Sequence, residues 1–235
     1  MLLSIIIPVR NEALIIADAL MALRQWLSVY ANNDSVQLIV VDGNSDDNTL
    51  AIAQQYADHA ITSPAGRARQ MNAGAAIARG RYLLFLHIDT QLPACDLMSL
   101  FNGTAAQWGF FSVKLSGQQW PLAVVAQMMN WRSRATHIGT GDQGLWVSSV
   151  LFQRVGGFDV IPLMEDVALC KTLRKVSKPV IYSEPVITSS RRWEEQGIYS
   201  TIALMWRLRW DYYRGVSPEQ LVKKYYPEFP SSHID

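Results

Sequence analysis

The sequence holds only two cysteines, Cys95 and Cys170, among its 235 residues. They lie far apart, lack metal-ligand spacing and are too sparse for a disulfide scaffold, so reduced thiols are expected. Charge is also scarce. Charged residues make up 17% of the chain and the net charge is +1. Such a balance carries no electrostatic footprint for nucleic acid or another polyanion. Long apolar runs are missing as well. The longest candidates, residues 120–131 and 198–206, fall short of the ~18 residues a bilayer span needs. The opening MLLSIIIPVRNE has no basic n-region and no small-residue cleavage site, and Pro8 interrupts it, so it is a poor signal peptide. These absences predict a soluble, cytoplasmic protein. One further absence is chemical. The first apolar run leads into PVRNEA instead of G-x-G-x-x-G, which counts against a nicotinamide-binding site.

What is present is a hydrophobic fraction of 49%, enough for a full core. Apolar runs at residues 3–8, 36–41 and 82–86, with a short one at 59–62, read as buried strands. Between them lie helical patterns. Asn11 is placed to cap a helix carrying Leu14, Ala17, Leu20 and Leu23, and further helices are expected through Leu50, Ala53 and Tyr56 and over residues 66–78. This alternation predicts an α/β fold with a mainly parallel sheet flanked by helices. The second half is less regular. Strands are expected at 109–115, 145–148 and 180–182, and helices at 121–134, 165–176, 197–214 and 218–226, with a loose tail over 227–235.

Ligands in parallel sheets bind beyond the carboxyl ends of the strands. That rule brings Arg10, Glu12, Asp42 and Asp89 to one edge as candidate neighbours. Arg10 and Glu12 suit a nucleoside contact, or simply a capped helix start. Asp42 suits a base N–H or ribose hydroxyl, or an Asx-turn. Gly66 to Gly74, GRARQMNAG, opens a helix whose N-terminus and Arg67 suit a phosphate, or form a solvated basic face. His87 and Asp89 end an apolar strand at an i, i+2 spacing that points both side chains one way if extended. Asp89, a hard oxygen donor, fits Mg²⁺ or Mn²⁺ better than His87 does. Glu165 and Asp166 are paired carboxylates fit for a general base, or for complementing a helix dipole. Arg191, Arg192 and Trp193 suit a loop that closes over phosphates, or a plain surface loop. The helix TIALMWRLRWDYYR interleaves aromatics with arginines, as interfacial helices do and as core helices with basic flanks also do.

Taken in order, SIIIPVRNE, VVDGNSDDNT, NAGAAIARGRYLLFLHIDT and GDQGLWVSSVLFQRVGGFDVIPLMEDVALCKTLRK resemble family 2 glycosyltransferases of the GT-A fold, over roughly residues 3 to 215. The spelling GRARQMNAG, FLH-x-DT, GDQG, PLMED and RRW is most similar to the small bacterial subgroup called radical-SAM/selenodomain-associated glycosyltransferases. The resemblance implies a GT-A type, Rossmann-like mixed sheet over residues 1–194 and a C-terminal helical extension over 195–235. It implies a UDP- or GDP-sugar donor, a Mn²⁺ or Mg²⁺ cofactor, and transfer with inversion to an acceptor hydroxyl. The acceptor's identity stays open, a lipid-linked one included, as does peripheral membrane contact through the C-terminal aromatic helix.

By the same resemblance, Pro8, Arg10, Glu12 and Asp42 hold the nucleoside, with Arg67, Gln70, Asn72 and His87 also on the donor. Many relatives carry a second Asp where this chain has Gly43. The Asp-x-Asp metal motif maps onto His87-Ile88-Asp89, so Asp89 is the ligand. His87 is left open between a ribose contact, a softer ligand and neither. Asp166, beside Glu165, takes the place of the catalytic base. Gln-x-x-Arg-Trp of processive relatives keeps Arg192 and Trp193 but has Ser189 for Gln. The competing readings are a nucleotidyltransferase on a similar scaffold and a sugar-nucleotide-binding protein without transferase activity.

Overall fold

Strand β1 (Leu3–Val9) shows why the sheet is buried on both sides. Its side chains alternate, with Ile5 and Ile7 in one apolar layer and Ile6 in the other. The computed structural model describes residues 1–31, 35–96, 101 and 106–225. The elements in chain order are β1, α1 (Ile16–Tyr30), β2 (Val36–Asp42), α2 (Thr49–Tyr56), β3 (His59–Thr62), α3 (Arg67–Ile77), β4 (Tyr82–Phe85) and β5 (Thr90–Gln91). Then follow β6 (Trp108–Leu115), α4 (Trp120–Thr136), a 3-10 turn (Gly141–Gln143), β7 (Leu145–Ser148), α5 (Ser149–Arg154), α6 (Glu165–Leu173), β8 (Val180–Thr188), α7 (Arg191–Glu195), α8 (Ile198–Tyr213) and α9 (Pro218–Tyr225).

The strands form one mixed sheet in the order β3-β2-β1-β4-β7-β6-β8-β5. β3, β2, β1 and β4 run parallel, as the alternating pattern predicts. β7 then pairs antiparallel with β4, Phe85 opposite Leu145. This reversal is what builds the site. The chain enters β7 at the edge where β4 ends, so the turn preceding β7 meets the loop following β4. β6 pairs antiparallel with β7 and parallel with β8. Helices α1 and α2 cover one face through Ile16, Leu20, Leu27 and Ala53. Helices α3, α5 and α6 cover the other through Met71, Phe152 and Leu169. Helix α3 lies so close that a Cβ on Gly74 would stand 2.5 Å from Ile6. The architecture is the expected α/β one, of GT-A type.

Several expectations need correction. Asn11 does not cap α1. The helix starts at Ile16, and Leu14 is 98% exposed rather than core-facing. Asn11 instead takes a left-handed φ of 54° and ties to the next loop. His87-Ile88-Asp89 is not extended. β4 stops at Phe85, and Thr90 N–H closes a turn onto the His87 carbonyl at 3.1 Å, so the period-2 argument that aligned the two side chains fails. β8 runs to Thr188, six residues past its expected end, because pairing with β6 carries it across Glu184 and Pro185. Helix α6 ends at Leu173, ahead of the expected 176. Strand β5 and helix α5 were not foreseen. Arg191 to Trp193 is part of a helical turn, α7, which spans the expected 194/195 boundary. The expected tail 227–235 lies outside the described residues.

Candidate active site

The first two strand-end loops are laced together. Asn11 N–H donates to Ser45 Oγ (2.9 Å), and Asp46 N–H donates back to Asn11 Oδ1 (2.9 Å). Glu12 N–H reaches Thr49 Oγ1 (2.8 Å) and Ala13 N–H reaches Asp47 Oδ2 (3.1 Å). Side chains after β2 thus satisfy amides that no helix claims, which fixes where Glu12 stands. Arg10 is exposed in this loop, and Pro8 is half-buried within β1, paired with Val41.

Asp42 is buried, and its carboxylate accepts the N–H and hydroxyl of Ser45. This is the Asx-type turn its position allowed. Gln70 is also buried. Its Nε2 donates to the carbonyls of Val9 and Val41, each at 2.8 Å, clamping the ends of β1 and β2 together. A Cβ on Gly43 would stand 2.9 Å from Gln70 Cδ, so the amide fills the space that a side chain at 43 needs. Asn72 is held by the later half of the chain. Its amide makes a two-way pair with the Phe158 backbone, donating at 2.9 Å and accepting at 3.0 Å.

Glu12, Asp89, Arg67 and Arg191 come together electrostatically. Burial raises the Glu12 carboxyl above its usual range, Arg191 opposes the shift, the Asp89 carboxylate adds to it, and Arg67 acts more weakly against it. Asp89 sits half-buried in the turn after β4 and makes no side-chain hydrogen bond or ion pair among the described residues. Those residues hold no cluster of three or more metal-ligating side chains. A lone free carboxylate beside cationic groups still fits a cation of the Mg²⁺ or Mn²⁺ type, which is often held by one carboxylate plus a ligand's phosphates.

The facing wall is the 3-10 turn. Gln143 anchors it. Its Nε2 donates to the Phe111 carbonyl (3.1 Å), and its Oε1 accepts from Ser133 Oγ (2.8 Å). Gly141 N–H then donates to Asp166 Oδ2 at 2.8 Å, and Val167 N–H to Asp166 Oδ1 at 2.7 Å. His87 lies against the same turn. Its Nδ1 is 3.4 Å from Asp142 Oδ1, and its Nε2 is 2.5 Å from where a Gly141 Cβ would stand. Desolvation raises the Asp142 carboxyl, but the His87 hydrogen bond and charge, with Arg67 and Arg209, outweigh it and hold it below the usual range. Glu165, next along, is buried beneath Asp166. Burial first, then the Asp166 charge, pushes its carboxyl up to about 7. Met164, which precedes both, has a left-handed φ of 70°, an uncommon conformation for a side chain with a Cβ. His87, Gly141, Glu165 and Asp166 line a small pocket floored by Phe85 and Phe158.

The residues 191–193 divide. Arg191 is exposed and its charge acts on Glu12. Arg192 turns the other way, its guanidinium 3.7 Å from the centre of the Tyr225 ring and its Nη2 on the Tyr225 carbonyl. Trp193 packs with Leu115, Leu122 and Val125. The arrangement therefore joins Glu12, His87, Asp89, Glu165, Asp166, Arg67 and Arg191 at one edge. Asn72, Arg192 and Trp193 serve as struts.

The model of glycosyl transferase family 2 matches residues 4–103. That segment is similar to family 2 glycosyl transferases and makes up less than half of the chain. It contains Pro8, Arg10, Glu12, Asp42, Arg67 and Asp89 but stops short of Asp166. Solved structures extend the likeness, as one of fold, to 80% of the chain. S. aureus TarS 1-349 in complex with UDP-GlcNAc superposes with a TM-score of 0.66 at 17% identity, over 80% of this chain and 58% of that one. The mannosyltransferase PcManGT from Pyrobaculum calidifontis, in complex with GDP-Man and Mn²⁺, superposes with a TM-score of 0.57 at 20% identity, over 80% of this chain and 56% of that one. Crystallised TarS at greater length gives 0.64 at 17% identity, with 80% and 37% covered. The chain thus spans well under two thirds of these proteins' lengths. A search of curated proteins gives no match. The matched segment supplies the Glu12–Asp89 side of the site, and the later half supplies the Asp166 side.

Sequence reading missed the 3-10 turn. GDQG stood out as shared spelling only, although Gly141, Asp142 and Gln143 each have a defined task. The signal was a glycine on either side of two polar residues just before a strand, the composition of a tight turn.

Proposed function

We propose that the protein transfers a sugar from a nucleoside-diphosphate sugar to an acceptor hydroxyl, with inversion and with a divalent cation. One observation carries this. The Asp166 carboxylate, pinned by the Gly141 N–H, stands at the same sheet edge as the free Asp89 carboxylate of a family 2 segment. UDP-GlcNAc and GDP-Man bound in structural neighbours support a nucleotide-sugar donor, and the Mn²⁺ beside GDP-Man supports the cation.

Asp89 would hold the cation, with the donor's diphosphate completing its coordination. When bound, that ion supplies positive charge to the departing diphosphate. Arg67 and Arg191 add fixed positive charge on the same side, so the leaving group's charge develops against groups already in place. Pro8, Arg10 and Glu12 border the nucleoside, and Asp42, buried and closed onto Ser45, holds the turn beside it. Asp166 accepts the proton of the attacking hydroxyl. The new carbon–oxygen bond forms opposite the breaking one, and the nucleoside diphosphate leaves with the bonding electrons. Glu165 holds its proton up to about pH 7, which limits negative charge next to the base.

The test is release of nucleoside diphosphate from a panel of UDP- and GDP-sugars, with and without Mn²⁺, by wild type and Asp166→Asn. A fall of about 10²- to 10⁴-fold in the variant is expected, with donor binding retained by calorimetry. Equal turnover of the two proteins removes Asp166 as base. Retained anomeric configuration in the product, read by NMR, removes inversion.

A further inference from the structure

Two arginines within electrostatic reach of Asp166 make no salt bridge among the described residues. Arg132 on α4 and Arg209 on α8 are both half-buried. Burial comes first and repulsion by the Arg209 charge second for Arg132, which is pushed down to about 9, while burial lowers Arg209. The carboxylates of Asp166 and Asp142 act on both from a distance. Among the described residues, neither makes a salt bridge to them. The one side-chain hydrogen bond of Arg132 is to the adjacent Ser133 hydroxyl (3.1 Å), and its Nε is buried with no acceptor. A guanidinium has five N–H donors, and leaving them desolvated and unmet is costly unless an anion arrives.

The same two helices carry an unusual surface. On α4, Trp120, Val124, Met128 and Trp131 are exposed at helical spacing. On α8, Tyr199, Trp206, Trp210 and Tyr213 are exposed likewise. Trp131 and Trp206 are 73% and 63% exposed. α4 and α8 are in contact. Arg132 follows Met128 by one turn, and Arg209 follows Trp206 by three residues, so each cation lies at the border between an aromatic stripe and the buried face. Aromatic side chains of this amphipathic kind gather where water meets hydrocarbon.

We propose that Arg132 and Arg209 form the head-group subsite of an amphiphilic phosphate acceptor, its phosphate beside Asp166 and its apolar chain along the exposed stripes of α4 and α8. The word acceptor rests on the transferase reading above. The subsite itself is testable without turnover.

Dodecyl phosphate below its micelle concentration is the probe, added to the full chain and followed by tryptophan fluorescence. Dodecanol and methyl phosphate serve as the tail-only and head-only controls. Dodecyl phosphate is expected to bind more tightly than either control. Arg132→Gln and Arg209→Gln should each weaken it about ten- to a hundredfold, with dodecanol binding and thermal unfolding unchanged. Trp131→Ser with Trp206→Ser should weaken dodecyl phosphate and leave methyl phosphate alone. Dodecanol binding as tightly as dodecyl phosphate overturns the head-group subsite. Methyl phosphate binding as tightly overturns the role of the stripes. A dimer by sedimentation that dodecyl phosphate fails to dissociate, and that Trp206→Ser does, assigns the face to a second copy and overturns the proposal. Intact dodecyl phosphate binding together with no nucleoside diphosphate release on any donor counts against the transferase reading and leaves the subsite standing.

Discussion

Gly141 holds Asp166 through its N–H at 2.8 Å while its missing side chain makes room for His87. One residue thus sets both the carboxylate read as the base and the imidazole that replaces a family carboxylate. A Cβ at this position would press on His87 Nε2 and Cε1, at 2.5 and 2.6 Å. The ring fills the space, so the histidine and the glycine depend on each other.

Gly141→Ala is therefore expected to lower turnover by about tenfold or more through displacement of Asp166 and His87, since small misplacements at a reacting centre are costly. The same change made in a His87→Ala background should lower it much less. Nucleoside diphosphate release by the four proteins of this cycle measures the coupling. Additive losses would show that His87 and Gly141 act independently.

Cation dependence is expected to run through Asp89. Chelation with EDTA should abolish turnover, and Mn²⁺ should restore it. In Asp89→Asn the Mn²⁺ concentration for half-maximal activity should rise at least about tenfold, because even outer ligands of metal sites contribute factors of this order. An unchanged Mn²⁺ titration removes Asp89 as ligand.

The buried Glu165 carboxyl predicts a pH dependence of stability. Its folded value, about 7, lies above its ordinary 4.5. Between those values the folded state binds more protons than the unfolded one, so this group's contribution falls as pH rises from about 4.5 to about 7 and levels off above. Urea unfolding across that range should show the decline in wild type and lose most of it in Glu165→Gln. Parallel profiles for both proteins would place the titration elsewhere.

Gly43 and Gln70 should be coupled energetically. Gly43→Ala forces its Cβ against the amide at 2.9 Å and is expected to cost about 1–3 kcal/mol, the usual range for overpacking. In a Gln70→Ala background the same substitution should cost far less. The double-mutant cycle is read by urea unfolding.

The parallel half of the sheet was legible because strand periodicity and strand-end polarity are local signals. Glu12, Asp89 and Asp166 could be singled out from position and type alone. Asn72 and Arg192 could not be placed, since their partners, Phe158 and Tyr225, are far along the chain and backbone pairing leaves no pattern in sequence. The direction of α1's start was misread for a similar reason. Asn11 has a cap's chemistry, but Ser45 and Asp46 claim it first. Arg209 stood out only as one of several arginines interleaved with aromatics and Arg132 not at all, because an arginine at a helix border looks alike in sequence whether its head is solvated or withdrawn.

The reversal between β4 and β7 has an evolutionary consequence. It makes the site a seam, with the segment that the family 2 model matches and its four linked parallel strands on one bank and residues from the 3-10 turn onward on the other. The two banks are tied by the four-residue ladder from Tyr82 to Phe85, the Asn72–Phe158 pair, the short pairing of β5 with β8 and the apolar layers they share. A lineage can then rewrite what Asp166 faces by replacing the second bank, while the first keeps its register and its grip on the other reactant. Two halves inherited at different rates would look, in sequence, like one recognisable stretch followed by one that is hard to place.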